Sequence, residues 1–320
     1  MSKFVVTGAR GYVARRLIDR LVAEGHEVVG LSRGDTGCKV KVGYSEVAVG
    51  DYTDEVLLRR TLSGAQAVFH LAARAHQRSV GPDDAALFHA ANVTPTEAVA
   101  RACTSNGVAR FVMVSSIGVL GNRTDDTAFS DASSLAPLDP YAVSKARAEL
   151  RVKEVLVDGS CDYCIVRPPL VYGPGSPGNF ASLVTIAAKA PLIPLAGIRA
   201  PRTFIHIDHL VEALVIAATH PAASRRAFVV ADGCDTSVAE IVRIAARSFA
   251  RERWRILAIP ETLLRALGIL TGHGKKVDKL LAPLRVDSSG FQVATGWIPA
   301  RATAQAIAET LRDWPDTSKP

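Results

Sequence analysis

The chain has 320 residues, 48% hydrophobic and 22% charged, enough apolar material for one large or two modest cores and unlike a disordered or fibrous protein. No apolar run reaches the roughly 18 residues of a transmembrane helix, and the opening MSKFVVTGAR lacks the segments of a secretory leader, so a cytoplasmic chain is expected. The net charge of +7 comes from Lys and Arg scattered through helix-like segments, without aromatic interleaving or zinc-finger spacing, which points to solvated faces and a small anionic ligand rather than nucleic acid.

In chain order, KFVVTG reads as a first strand and YVARRLIDRLVAEG as an amphipathic helix closed by Gly25. The turn between them carries T-G-x-x-G-x-x-A. Gly8 permits the tight turn, Gly11 lets the backbone approach a pyrophosphate seated on the helix N–H groups, and Ala14 is small enough for close helix–strand packing. The second strand, EVVGLSR, ends on Ser32 and Arg33, where an acid would hold the ribose 2′-hydroxyl of NAD; Asp35 comes two residues later. Arg33, with Arg10 within reach, tilts the expectation from NAD towards NADP, whose 2′-phosphate a guanidinium binds well. SEVAVGD is a third strand that leaves Asp51 to meet the adenine, and TDEVLLRRTLSG is a helix. In the fourth strand, AQAVFHLAA, the small Ala72 and Ala73 let backbone approach the cofactor.

ALFHAANVTPTEAVARACTSNG predicts one long helix, RFVMVSS a fifth strand, DPYAVSKARAELRVKEVLVDG another long helix, and DYCIVRPPLVYG a sixth strand. Apolar strands without alternation, joined by helices, predict an α/β fold: a doubly wound parallel sheet covered on both faces. After residue 172 the pattern changes. GPGSPGN and APLIPLAGIRAPR are irregular, TFIHI and RAFVVADG read as strands, and DHLVEALVIAATH is a helix with Asp208 as its expected N-cap. Residues 235–320 read as small helices ending in a frayed DWPDTSKP tail. The expected division is a dinucleotide-binding domain over 1–172, with 204–232 returning to it, and a smaller, mainly substrate-binding domain over 173–320.

Three side chains suggest a reaction. Tyr141 and Lys145 stand one helical turn apart, and Ser116 closes the strand before that helix. Hydride transfer at a carbon bearing oxygen requires a proton to move on that oxygen. A free tyrosine, with a pKa of about 10, is a poor base near neutrality; a nearby ammonium is expected to lower it, while a serine hydroxyl holds the substrate oxygen in line. Five cysteines (38, 103, 161, 164 and 234) argue against a disulfide framework, and the C-x-x-C at Cys161 and Cys164 runs into a strand instead of opening a helix. His206, Asp208 and His209 make half a metal site with no second cluster, so no metal is expected.

The ordered set TGARGYVA, GD at 50–51, HLAA, Asn92 within AANVT, VSS, YAVSK, RPPLVYGPG, RTFIHIDHLVEA and VDSSGFQVATGW resembles the extended short-chain dehydrogenases/reductases of the NAD-dependent epimerase/dehydratase family over nearly the whole chain. The resemblance implies a Rossmann-type fold, Tyr141 as catalytic acid or base, Lys145 also on the nicotinamide ribose, and Ser116 orienting the sugar oxygen. It further implies that Asn179 and Arg202 hold a nucleotide diphosphate, that the substrate is a UDP-sugar, and that the chain forms a homodimer. Dehydratases of the group carry an Asp–Glu pair after the catalytic Ser/Thr; here Ile117 and Gly118 stand there, which argues against dehydration. Pro95 and Thr96 replace the usual Gly-Thr, and the Arg-Pro-Gly-Asp stretch common in UDP-glucose 4-epimerases is missing. The leading expectation is reduction of a UDP-4-keto-6-deoxy-N-acetylhexosamine to UDP-N-acetylquinovosamine or a similar sugar for a bacterial surface polysaccharide (O-antigen, lipopolysaccharide). The alternative is a UDP-hexose or UDP-N-acetylhexosamine 4-epimerase with tightly held NAD. A dinucleotide-sensing regulator is a third, non-enzymatic reading, and such proteins commonly lose the tyrosine.

Overall fold

A computed structural model describes residues 1–34, 40–75, 84–190, 192–249, 257–272, 274–312 and 314; Asp35, Cys38 and most of the DWPDTSKP tail lie outside them. Seven parallel strands form the main sheet: β1 (Lys3–Thr7), β2 (Glu27–Arg33), β4 (Tyr44–Val49), β5 (Ala67–His70), β6 (Arg110–Val114), β7 (Asp162–Arg167) and β10 (Arg226–Val229). They lie in the order β10-β7-β6-β5-β1-β2-β4, and the short β3 (Val40–Lys41) adds an antiparallel edge beyond β4. This is the doubly wound α/β arrangement expected from the sequence. The β1–β2 register (Phe4 opposite Val28, Val6 opposite Gly30) brings the end of β2 beside the turn that follows β1.

Alternation along the strands divides the core. One face carries Phe4, Val6, Phe69, Val112 and Val166 beneath Leu17, Ile18 and Leu21 of α1 (Tyr12–Ala23) and Leu210 and Leu214 of α7 (Ile207–Thr219). The other carries Val5, Val68, Phe111, Met113 and Ile165 beneath α2 (Glu55–Leu62), α4 (Thr94–Ser105) and α5 (Pro140–Leu156). Helices on both faces leave the C-terminal strand edge as the open crevice, where a ligand binds in such sheets.

Several sequence expectations need correction. The long helix near residue 92 is two, α3 (Asp84–Asn92) and α4, interrupted at Val93. Pro95 sits in the first turn of α4, where its missing N–H costs nothing; inside a continuous helix it would break the ladder. The sixth strand is likewise split. Pro168 and Pro169 have no N–H to continue the ladder, and β8 (Leu170–Tyr172) pairs instead with β9 (Phe204–His206) in a separate two-stranded sheet. The N-cap of α7 is His206, whose Nδ1 accepts from the Asp208 N–H at 3.3 Å; Asp208 itself lies inside the first turn. Between the two irregular stretches the sequence reading assigned no element; the chain there forms α6 (Asn179–Lys189), which buries Phe180, Val184, Ala187 and Ala188. These residues build a third apolar cluster with Tyr172, Phe204, Ile241, Val242 and Ile307, formed largely by α6, α8 (Val238–Ser248) and α12 (Thr303–Arg312).

Candidate active site

At the first turn, Gly8 has φ +69°, and a Cβ there would come within 2.9 Å of the Ala72 backbone. Only glycine fits this approach between the β1 and β5 loops. The Thr7 hydroxyl accepts from the N–H groups of Leu71 and Ala72 (3.2 and 3.1 Å), locking the two loops together. Gly11 caps α1 without a side chain and with extended φ/ψ, and a Cβ on it would lie 3.1 Å from the Gly8 carbonyl. Ala14 is buried. The N–H groups of Gly8, Ala9 and Gly11 are taken within the protein, but α1 has no side-chain cap, so the N–H groups of its first turn suit a pyrophosphate; Ala73, at the lip of the β5 loop, is half-buried.

Two residues that the sequence reading missed brace the glycine turn and the end of β2. Tyr52, buried at φ +66°, accepts from the Gly8 N–H and donates to the Leu31 carbonyl, both at 3.1 Å. The neighbouring Asp51 is exposed and folds back on Thr53, whose N–H and hydroxyl hold its carboxyl below the usual carboxylate range. Tyr52, not Asp51, touches the glycine turn. The buried Glu46 of β4 accepts from the Ser32 hydroxyl at 2.6 Å and pairs with Arg10 at 2.7 Å. Arg10, expected beside a 2′-phosphate, therefore lies against a carboxylate, while Arg33 is exposed at the end of β2. The signal for Glu46 was a lone charge in an otherwise strand-like run.

Ser116 follows β6 in extended conformation and accepts from the Gly118 N–H at 3.1 Å. A Cβ at Gly118 would lie 3.4 Å from the Ser116 hydroxyl and 3.7 Å from the Ala142 methyl, which sets this turn against the first turn of α5. That helix starts at Pro140, capped by Asp139 through the Ala142 N–H at 2.8 Å. It presents Tyr141 half-buried and Lys145 fully buried. Phe88 meets the Tyr141 ring edge-on at 6.2 Å between centroids, and the Arg74 guanidinium lies 5.8 Å from the Phe88 centroid.

The electrostatics correct the expected lowering of the tyrosine. Burial, and after it the Asp139 carboxylate, push the Tyr141 phenol up to about 12. Burial draws Lys145 down to about 8, against the opposing pull of Glu149 one turn on. In this state the phenol is a neutral proton donor and Lys145 is still largely protonated near neutrality.

Buried polar side chains fix these groups. Asn92 accepts from the Arg74 N–H at 2.7 Å and donates to the Ser144 hydroxyl at 2.8 Å; Ser144 donates to the Tyr141 carbonyl at 2.7 Å. Glu149 accepts from the Ser115 hydroxyl and from Arg167 (2.7 Å), all three buried. His70 lies between the Thr7 and Thr96 hydroxyls (3.0 and 2.9 Å), and burial lowers it to about 3, so it is neutral.

The residues expected on the substrate side lie apart from the trio in sequence. Asn179 is exposed at the start of α6, after Gly178 at φ +79°. Arg202 gives Nη1 to the Lys279 and Ala282 carbonyls, both 2.8 Å, at the end of α10 (Gly274–Leu281), and burial lowers its pKa. Cys161 and Cys164 fall into clusters on opposite faces of the sheet and cannot share a ligand. His209 Nδ1 lies 2.7 Å from Asp232, but no group of three or more metal-ligating side chains converges among the described residues.

Residues 4–231 match the family model described as NAD dependent epimerase/dehydratase family. The chain belongs to that family. It is 31% identical over 317 residues to UDP-glucose 4-epimerase of Vibrio cholerae, covering 97% of this chain and 95% of the relative. It is 30% identical over 327 residues to UDP-glucose 4-epimerase of Mycolicibacterium smegmatis, with 96% of each covered. Among solved structures, dTDP-glucose 4,6-dehydratase of Bacillus anthracis in complex with NAD superimposes with a TM-score of 0.78 at 17% identity, over 98% of this chain and 96% of that one, a likeness of fold.

Proposed function

We propose that this family member is an NAD(H)-dependent enzyme that moves a hydride at C4 of a UDP-sugar, with 4-epimerisation as the first specific reading. The observation that carries the hydride chemistry is Tyr141 on the first turn of α5, beside the Ser116 turn and one turn ahead of a buried Lys145. The two full-length relatives, both UDP-glucose 4-epimerases, support epimerisation. The Gly8/Gly11 turn fits a dinucleotide, and when bound the nicotinamide supplies or accepts the hydride. Tyr141 passes the phenolic proton to, or takes it from, the sugar oxygen; Ser116 hydrogen-bonds that oxygen; the Lys145 charge favours the phenolate when Tyr141 acts as base. Ile117 and Gly118 offer no acid or base after Ser116, so loss of water is not part of the reaction. Asn179, Arg202 and the part of the chain around the third apolar cluster hold the UDP moiety, and two copies form the working unit.

Glu46 pairs with Arg10, one of the two arginines an NADP preference would use, and the family is described as NAD dependent. NAD(H) is therefore the proposed cofactor, with Arg33 the residue that would admit a 2′-phosphate. Reduction of a 4-keto sugar is the second reading, favoured by the missing Arg-Pro-Gly-Asp stretch. Stoichiometry separates the two. Interconversion of gluco and galacto forms of UDP-glucose or UDP-N-acetylglucosamine at catalytic NAD supports the epimerase. Steady NADH or NADPH oxidation with UDP-4-keto-6-deoxy-N-acetylglucosamine, without that interconversion, transfers the assignment to the reductase. Failure of both refutes C4 chemistry on these sugars.

A further inference from the structure

We infer that His70 and Thr96 are positioning residues, members of one directional hydrogen-bond chain that ties the glycine turn to Tyr141. The chain runs through Thr7, His70, Thr96, Asn92 and Ser144, each at most 3% exposed. These residues come from five elements, β1, β5, α4, α3 and α5. Buried polar side chains in series are costly unless all are satisfied, and a fully satisfied series holds one geometry.

The partners assign every donor. The Thr7 oxygen already accepts from the Leu71 and Ala72 N–H groups, so its own proton goes to His70 Nδ1 at 3.0 Å. Nδ1 is then an acceptor, and the neutral imidazole carries its proton on Nε2, which donates to the Thr96 hydroxyl at 2.9 Å. The far end fixes the same tautomer. A carbonyl only accepts, so the single Thr96 proton goes to the Asn92 carbonyl at 2.5 Å, and Nε2 must be the donor in its bond to Thr96. Asn92 continues the chain through its side chain. Its Oδ1 accepts from the Arg74 N–H at 2.7 Å, so its Nδ2 donates to the Ser144 hydroxyl at 2.8 Å, and Ser144 donates to the Tyr141 carbonyl at 2.7 Å. All the bonds of the chain point from the β5 loop towards α5. Thr7 locks the two loops beside Gly8, and through four further side chains it sets the first turn of α5. On the C4-hydride reading, on which this role rests, the chain holds the phenol in register with a dinucleotide on the glycine turn, where a small displacement of a reacting oxygen lowers the rate steeply.

The test has two arms. Nitrogen-15 NMR of the histidine side chains in the full chain near pH 7, with His70→Gln identifying the His70 signals, should show Nε2 protonated and Nδ1 bare. This arm needs no substrate, so its outcome is separate from the fate of the C4 reading. Thr96→Val keeps the side-chain shape and removes the hydroxyl. It should lower kcat about tenfold while the sugar KM and the NADH dissociation constant stay within about twofold, and Thr96→Ser should restore kcat. Ser144→Ala should be slowed similarly, and Thr96→Val/Ser144→Ala should be no slower than the slower single variant, whereas independent effects would multiply to about a hundredfold. If neither sugar assay gives turnover, the Tyr141 ring signal of carbon-13 tyrosine-labelled protein replaces kcat, and Thr96→Val but not Thr96→Ser should shift it. If Thr96→Val does not fold, the tautomer and Ser144→Ala decide. A proton on His70 Nδ1 overturns the inference. So does a Thr96→Val or Ser144→Ala chain with wild-type kcat or an unmoved Tyr141 signal, a Thr96→Ser chain as slow as Thr96→Val, multiplicative losses, or a loss shared equally with cofactor or sugar affinity, which would mark general loosening.

Discussion

Lys145 is a buried cation whose cost can be worked from the structure. Its side chain is 1% exposed, and burial draws its pKa from 10.5 to about 8 even with Glu149 opposing. At about 1.4 kcal/mol per unit, keeping the ammonium charged in the folded protein costs roughly 3 kcal/mol near pH 7. Lys145→Met keeps an unbranched apolar stem and leaves Glu149 paired with Arg167 and Ser115. The cofactor-free variant should therefore melt higher than wild type by roughly 2–5 °C near pH 7, although it loses turnover and cofactor affinity. The pH dependence follows. Below about pH 8 both folded and unfolded wild type carry the proton, and the full penalty is present. Between about 8 and 10.5 the folded chain releases the proton while the unfolded chain keeps it, so wild-type stability rises and the variant's advantage closes. Thermal unfolding by circular dichroism without cofactor, near pH 7 and near pH 10, measures both effects. A lower melting temperature at neutral pH, or a gain undiminished near pH 10, would refute the reasoning.

Tyr141→Phe should lower turnover at least ~10²-fold while dissociation of NADH, followed by fluorescence, changes little. Arg33→Asp should reduce use of NADPH relative to NADH, and Glu46→Gln should move the ratio the other way; kcat/KM for both cofactors checks each, and an unchanged ratio removes that residue from 2′-recognition. Glu149→Gln strands the buried Arg167 and should destabilise the chain by about 3–5 kcal/mol in urea unfolding. Adding Arg167→Met should recover most of that loss.

The sheet was legible because its strands are apolar runs separated by helices with clear periodicity, and the glycine turn because Gly8 and Gly11 follow the first strand directly. The breaks at prolines were not read: the predicted long helix and sixth strand ran straight through them. Pro95 divides a helix and Pro168–Pro169 a strand because each removes an N–H that the continuous element would need. The trio was legible by spacing. The residues that brace it and the glycine turn were not: Tyr52, His70, Ser115 and Arg167 act through partners as distant in sequence as His70 from Thr7, with no local pattern to mark them, and Glu46 showed only as a lone charge. The expected acidity of Tyr141 failed for a related reason. Spacing gives the neighbouring ammonium, but burial, which only the fold reveals, and the Asp139 carboxylate after it both raise the phenol.

Helix α5 shows how such a site is held. Its inward residues change character along its length, from Ser144, Lys145 and Glu149 at the catalytic end to Val152 and Leu156 at the far end. The polar end gains little from water exclusion and is positioned by directional bonds: Asp139 on the first turn, Asn92 through Ser144, Arg167 and Ser115 through Glu149. The apolar end, packed with Ala148 against the β6–β7 face, supplies the burial that offsets a charged lysine in a dry environment. Placing both functions on one rigid element fixes Tyr141 relative to the sheet edge without requiring the reactive end to be stable by itself. A change in the reaction run on this fold therefore need not alter α5. It can arise at the proposed sugar-nucleotide contacts, around Asn179, Arg202 and the helices that follow.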